Sequence, residues 1–368
     1  MNATNASSPP GTFRCKACGA DLAFDPAAQS LKCGHCGEIN LINAPSGAVV
    51  DEEDFQSALA RLSSAEPTHE QLSFKCTGCA AEAVFPPDVT AGACPFCGCP
   101  VNAQATSKKA IQPKSLLPFQ ITQKQAVESF QAWVASRWFA PSELKKRAQQ
   151  SAIHGTYLPA WTYDSNTISD YTGERGEHYW ETETYTEMEN GQSVTKTRQV
   201  QRTRWWPASG RVSNSFNDLL VMASVSLPGK LLNHLEPWDL NNLIPYADDY
   251  LAGFVTESYQ VNLSQGFDTA KQMMAGPINR TIENDIGGDE QRITWVNTKY
   301  FDIRFRHLLL PVWISAYRYQ DKVYRFLVNA RTGEVRGERP YSAIKIVLLV
   351  LIIAMVIGII AMVATHSR

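Results

Sequence analysis

Eight cysteines within the first hundred residues constrain this chain more than any other feature. They form four Cys-x-x-Cys pairs in two matched sets, Cys15, Cys18, Cys33 and Cys36, then Cys76, Cys79, Cys94 and Cys97. Fourteen residues separate the inner cysteines in both sets. A tetrahedral Zn²⁺ takes four thiolates and leaves no open position, and two such knuckles on facing hairpins supply them. The sets are an internal repeat. Phe13, Phe24, Pro26 and Gly37 align with Phe74, Phe85, Pro87 and Gly98 at an offset of 61. Glycine after the second knuckle suits a positive-φ turn that lets backbone N–H groups approach the sulfurs.

Two other readings compete with zinc. Four disulfides would require an oxidising compartment. Met1 to Gly11 is a polar arm without the apolar stretch of an export signal, so reduced thiols are expected. Iron is the alternative metal, because Cys94-Pro95-Phe96-Cys97-Gly98 also reads like a rubredoxin knuckle. The short spacer between pairs favours a zinc ribbon. The expectation is two structural zinc ions. Cys99 is left over as a spare thiol.

The far end is apolar. Ile346 to Thr365 carries no charge. Twenty helical residues span about 30 Å, the thickness of a hydrocarbon core. A single transmembrane helix is therefore expected over 343–365. Arg331, Arg336, Arg339 and Lys345 precede the uncharged run and only Arg368 follows. By the positive-inside rule the N-terminal bulk is expected in the cytoplasm of a bacterium, anchored to its inner membrane by its tail.

Charge argues against a nucleic-acid role for the ribbons. Residues 1–110 hold seven Lys/Arg and eleven Asp/Glu. Two Cys₄ zinc sites would make the region more negative still, whereas phosphate binding needs a cationic face. Nucleic acid is not expected as a partner. Neither is a small-molecule substrate, because the phosphate-cradling loops, H-E-x-x-H and G-x-S-x-G do not occur. No catalytic or cofactor-binding residues are assigned, and the chain is not expected to be an enzyme.

The predicted organisation is α+β. A disordered arm (1–12) precedes a first ribbon (13–43), a linker with a short helix (44–72), a second ribbon (73–103) and a second linker (104–114). An α+β region with antiparallel sheet follows (115–341). Helices are predicted over Asp51–Leu62, Thr122–Phe139, a stretch restarting at Pro141, Pro237–Leu251, broken at Pro245, and Gly266–Asn284. Strands are predicted near Phe254–Val261, Gln291–Phe305, Lys322–Val328 and Gly333–Arg336. Leu158-Pro159-Ala160-Trp161 and Leu310-Pro311-Val312-Trp313 read as equivalent strand starts, neighbours in one sheet. Asn190-Gly191 is a strong hairpin turn signal. With a two-residue turn, paired residues sum to 381, so Glu183 faces Arg198, Glu177 faces Arg204 and Tyr179 faces Arg202. The hairpin reads as a solvated ribbon that satisfies its own charges. A partner-binding arm is the alternative.

These residues resemble a family. The cysteine pairs, Leu117-Pro118-Phe119 before a helix, Gly155-Thr156-Tyr157-Leu158-Pro159-Ala160-Trp161, Asn329-Ala330-Arg331-Thr332-Gly333-Glu334-Val335 and the apolar tail are similar to bacterial membrane-anchored TFIIB-type zinc-ribbon proteins. Those accompany phage-shock (PspA) and SPFH/band-7 proteins and are often labelled primosomal-helicase-like. The resemblance runs from about residue 13 to 363. It implies a membrane-tethered adaptor in envelope stress, without catalysis, with SPFH/band-7 or PspA-type proteins as partners. The alternative is a membrane-tethered protein linked to transcription or replication through its ribbons.

Overall fold

The computed structural model describes residues 13–42, 51–64, 69–78, 81–84, 91–102, 104–108, 111–139, 141, 153–189, 191–319 and 322–366. The first ribbon is a three-stranded antiparallel sheet of β1 (Leu22–Asp25), β2 (Ser30–Cys33) and β3 (Ile39–Asn40). Then come β4 (Glu53–Asp54) and α1 (Phe55–Ser64). The second ribbon region carries β5 (His69–Lys75), β6 (Glu82–Val84), β7 (Ala91–Ala93), β8 (Pro100–Asn102) and β9 (Gln104–Lys108). The rest of the chain adds β10 (Ser115–Leu116), α2 (Gln123–Ala135), β11 (His154–Glu189), β12 (Gln192–Met222), α3 (Gly229–Leu232), β13 (Ile244–Pro245), β14 (Val255–Glu257), α4 (Leu263–Ile286), β15 (Glu290–Tyr319), β16 (Lys322–Asn329), β17 (Val335–Gly337) and α5 (Ala343–His366).

One mixed twelve-stranded sheet dominates. Its spine is β12-β11-β15-β16, all antiparallel, and β10 and β14 add parallel pairings. Along β11 the odd positions Tyr163, Ser165, Thr167, Ser169 and Tyr171 are buried, while Asn166 and Ile168 are exposed. That period of two marks a sheet covered on one face. The cover is α4. Its buried residues Leu263, Phe267, Ala270, Met274, Ile278 and Ile282 recur at helical spacing. Asn262 and Gln265 form a capping box at its start, and Gly287, with φ +65°, ends it. The helix lies close at Gly266, where an added Cβ would sit 2.3 Å from the Tyr163 hydroxyl.

The hairpin has the predicted register. Glu183 pairs with Arg198, Glu177 with Arg204 and Tyr179 with Arg202, and Glu189 pairs with Gln192 across the two-residue turn. Gly191 has φ +80°; Asn190 lies outside the described residues. The third strand stops at Glu290, opposite Gly176. Beyond it β11 and β12 continue as a two-stranded arm. The two Leu-Pro-x-Trp segments are neighbours, with Leu158 opposite Leu310, but neither starts its strand: the first lies four residues into β11 and the second deep inside β15.

Several expectations need correction. The fold is mostly a large mixed sheet with few helices. Pro237–Leu251 is not a helix. Pro245 has no N–H for a helical bond, and Ile244–Pro245 instead pairs with Ser115–Leu116, flanked by short 3₁₀ turns. The stretch expected to restart at Pro141 lies outside the described residues after that proline. Among the described residues, no helix is long and apolar enough to cross a membrane. The transmembrane helix over 343–365, the integral single-span membrane partner and the inner-membrane location are corrected accordingly.

Both ribbons share a core with the sheet. Cys15, Leu22, Phe24, Leu31 and Cys33 belong to one buried cluster with Phe119, Tyr157, Phe254 and Trp313. Phe74, Cys76, Ala83, Cys94 and Phe96 belong to another with Leu158, Val312, Ile314 and Leu327.

Candidate metal centres

Each knuckle closes with the same backbone bond. The first cysteine's N–H donates to the carbonyl five residues on: Cys15 to Ala20 (2.7 Å), Cys33 to Glu38 (2.9 Å), Cys76 to Ala81 (2.9 Å) and Cys94 to Cys99 (2.8 Å). Gly19, Gly37 and Gly98 have φ of +75°, +80° and +75°, a backbone state that costs glycine little. The equal spacing of the two sets therefore corresponds to equal local geometry.

The knuckles bring the thiols together. In the first set Cys15 Sγ lies 3.6 Å from Cys36 Sγ, and Cys18 Sγ 3.5 Å from Cys33 Sγ. All four sulfurs lie within 4.8 Å of one another. Sulfurs at 2.3 Å from a tetrahedral ion would be about 3.8 Å apart, so the donor set fits one. These separations far exceed a disulfide bond of about 2.05 Å, and the described cysteines are free. In the second set Cys76, Cys94 and Cys97 cluster, with Cys76 Sγ 3.4 Å from Cys97 Sγ. Cys79 lies outside the described residues. Cys99 is close by: a Cβ on Gly78 would lie 2.6 Å from Cys99 Sγ and 3.4 Å from Cys97 Sγ.

The electrostatics of the first set suit a cation. The Cys36 N–H, 3.5 Å from Cys33 Sγ, heads the causes that hold the Cys33 thiol down at about 6. The Cys18 N–H likewise lowers Cys15. Cys36 is pushed up to about 12: the Glu38 N–H lowers it, but the surrounding thiols and burial outweigh that. Four crowded thiols cannot all ionise without a positive charge among them. A divalent ion supplies it, and releases protons as it binds. The two cysteine clusters are thus able to hold metal ions, and their donors are compatible with zinc.

A third cluster escaped the reading of the sequence. Glu52, Asp164 and Asp218 meet around Arg306, whose Nη2 lies 2.7 Å from both Glu52 Oε1 and Asp218 Oδ1. Asp164 Oδ1 accepts from the Asp218 N–H at 2.7 Å. Burial first, then the Glu52 and Asp218 carboxylates, push Asp164 up to about 6. The guanidinium already sits where a cation would, so this is an ion-pair network. Its members are remote in sequence, and only the pairing of β4, β11, β12 and β15 collects them. His307 was also missed as a structural group. It is buried against Trp161 and Tyr259, with Nδ1 2.7 Å from the Ile111 carbonyl.

No family model matches the chain. No solved structure matches it either. The chain is similar to the uncharacterized protein YdjG of Bacillus subtilis (strain 168), with 25% identity over 346 residues, covering 91% of this chain and 92% of that protein. The likeness extends over nearly the full length of both chains, so it is not confined to a single ribbon.

Proposed function

We propose that both clusters hold structural zinc and that the protein is a non-enzymatic scaffold that gathers protein partners. The observation that carries this reading is the thiolate set of the first cluster. Four protein ligands close around the metal position, leaving no site for water or substrate. The cysteines are tied into the same hydrophobic clusters as the sheet, so the metals brace a surface. The sheet also extends a two-stranded arm with Trp180 and Met188 exposed. A projecting surface with exposed Trp and Met suits recognition. The resemblance to ribbon proteins that accompany PspA and SPFH/band-7 proteins names the candidate partners.

The test has two parts. Purified full chain should contain two zinc ions per molecule by elemental analysis, and Cys99→Ser should not change that content. Affinity capture with the full chain as bait should enrich PspA-type or SPFH/band-7 proteins, and capture should fall when zinc is stripped. Iron in place of zinc, or one ion per chain, would refute the metal assignment. Turnover of a substrate by the zinc-loaded protein would refute the scaffold.

A further inference from the structure

The arm leaves one edge of β11 without a partner strand. β15 pairs with β11 only as far as Gly176. Beyond it, among the described residues, β11 pairs with β12 alone. Two hydrogen bonds at the root of the arm fix which backbone groups line this edge. The Gly176 carbonyl accepts from the Asp289 N–H (2.8 Å), and the His178 N–H donates to Asp289 Oδ2 (2.7 Å). Gly176 and His178 therefore turn their main chain away from β12, to the side that β15 occupies. Residues along an antiparallel strand alternate in this respect, so Trp180, Thr182, Thr184, Thr186 and Met188 do the same. All five are exposed. Their N–H and C=O groups form a row about 30 Å long, in line with β15.

Such an edge is a template for another strand, and proteins commonly interrupt it with proline or a bulge. Glu177 to Glu189 contains neither Pro nor Gly, and its register with β12 has no bulge. A two-stranded hairpin is also at best marginally stable, and a third strand is what it lacks.

The side chains beside the row set the chemistry of that strand. Glu181, Glu183, Glu187 and Glu189 lie on one face of β11, and against them β12 sets only Lys196, Arg198 and Arg202. Glu187 and Glu189 share Lys196, and Glu181 and Glu183 share Arg202. Glu181, Glu187 and Glu189 each reach β12 through Oε2, which leaves Oε1 of each for a cation on the other side. The other face of this edge is uncharged from Trp180, 66% exposed, through three threonines to Met188, 71% exposed.

We propose that this edge of β11 takes an extended peptide segment of another protein as an added antiparallel strand, with Lys or Arg at alternate positions. The peptide main chain bonds the row of backbone groups. Its basic side chains meet the carboxylates, and its neutral ones lie beside the threonines. The same carboxylates repel a second β11 edge, so a basic strand is selected over a like edge of another copy. The proposal deepens the scaffold reading by naming the chemistry of a partner.

The experiment is amide exchange followed by NMR on the zinc-loaded full chain. The probe is a synthetic ten-residue peptide of alternating threonine and lysine. Without it, the amides of Thr182, Thr184 and Thr186 should exchange fast, because they face solvent. With it they should slow at least about 10-fold, while those of Thr195 and Thr197, on the far edge of β12, stay fast. A peptide of alternating threonine and glutamate should give no protection. Thr184→Pro removes one outward N–H and no bond to β12, and should weaken binding of the basic peptide at least about 10-fold. Thr197→Pro makes the same change directly opposite, on the β12 edge, and should leave binding unchanged. Circular dichroism and zinc content verify that both variants fold, and wild-type exchange decides the matter if either does not. Arm amides already slow without peptide would mean that a second copy occupies the edge, and would overturn the proposal. So would binding that leaves Thr182, Thr184 and Thr186 fast, equal protection by both peptides, or protection confined to the β12 edge. If the peptide fails while partner capture succeeds, the scaffold stands without this edge; if capture fails while the peptide protects these amides, the edge stands and those partners fall.

Discussion

The two ribbons have the same cysteine spacing and the same knuckle bonds, yet they join the molecule differently. The first keeps its own three-stranded sheet. It meets the body through side chains, chiefly Phe24 against Tyr250 and Phe254, with one backbone bond from Phe24 N–H to the Ala252 carbonyl (3.0 Å). Gln29 adds a bond to the Phe119 carbonyl (2.7 Å). Cys18 and Cys36 face solvent. The second is continuous with the main sheet, because β6 pairs with both β5 and β14. Phe74 and Phe96 are fully buried, and Arg325 Nε donates to the Phe96 carbonyl (2.9 Å). Spacing determines the knuckle; the surrounding strands determine how far its loss is felt.

That difference predicts unequal costs when a ligand is removed from the metal-loaded protein. Cys94→Ser should lower global stability by on the order of 5 kcal/mol, because losing the ion unfolds a region that shares hydrogen bonds with the sheet. Cys33→Ser should lose its ion but cost about 2–3 kcal/mol, since a docked unit can open locally while the sheet persists. Urea unfolding followed by tryptophan fluorescence measures both. Equal costs, or the reverse order, would break the comparison.

A smaller change sharpens it. Phe24→Ala should cost about 3–4 kcal/mol by leaving a cavity against Tyr250 and Phe254, while both metal sites stay filled. Amide exchange should then rise across β1 to β3 and remain slow in β5 and β6. Uniform acceleration in both ribbons would mean that the first is as tightly wired as the second.

Local rules account for what was legible in the sequence. The knuckles follow from Cys-x-x-Cys and glycine, and the arm's register follows from a two-residue turn and alternating charge, so each needed only neighbouring residues. The extents of β11 and β15 were not legible, because a strand of thirty or more residues is held by its partners and not by its own pattern. Pro237–Leu251 had enough apolar residues to imitate a helix, but the pairing with Ser115 and Leu116 came from remote chain. The Arg306 network was invisible for the same reason. The apolar tail illustrates a different limit. A hydropathy run fixes composition, whereas the crossing of a membrane is a statement about a helix, and the described residues contain no helix that meets it.

The last and smallest effect separates the ribbons by pH. The chain leaving the second ribbon runs past His307: its Nδ1 donates to the Ile111 carbonyl, and the Lys114 N–H donates to the His307 carbonyl (2.9 Å). Burial dominates its titration and holds the ring down at about 4, against 6.5 when free. The unfolded chain therefore takes up a proton more readily than the folded one. Stability from this group is complete above pH 6.5 and is lost as pH falls towards 4. By pH 5 the loss reaches about 2 kcal/mol. His307→Gln keeps a donor for Ile111 and cannot titrate, so the difference in unfolding free energy between pH 7 and pH 5 should shrink by about that amount. Exchange at pH 5 should quicken first around residues 111–116 and spare the first ribbon. If the variant keeps the wild-type pH dependence, another group carries it; an NMR titration showing the His307 ring protonating near 6.5 in the folded protein would refute the burial argument directly.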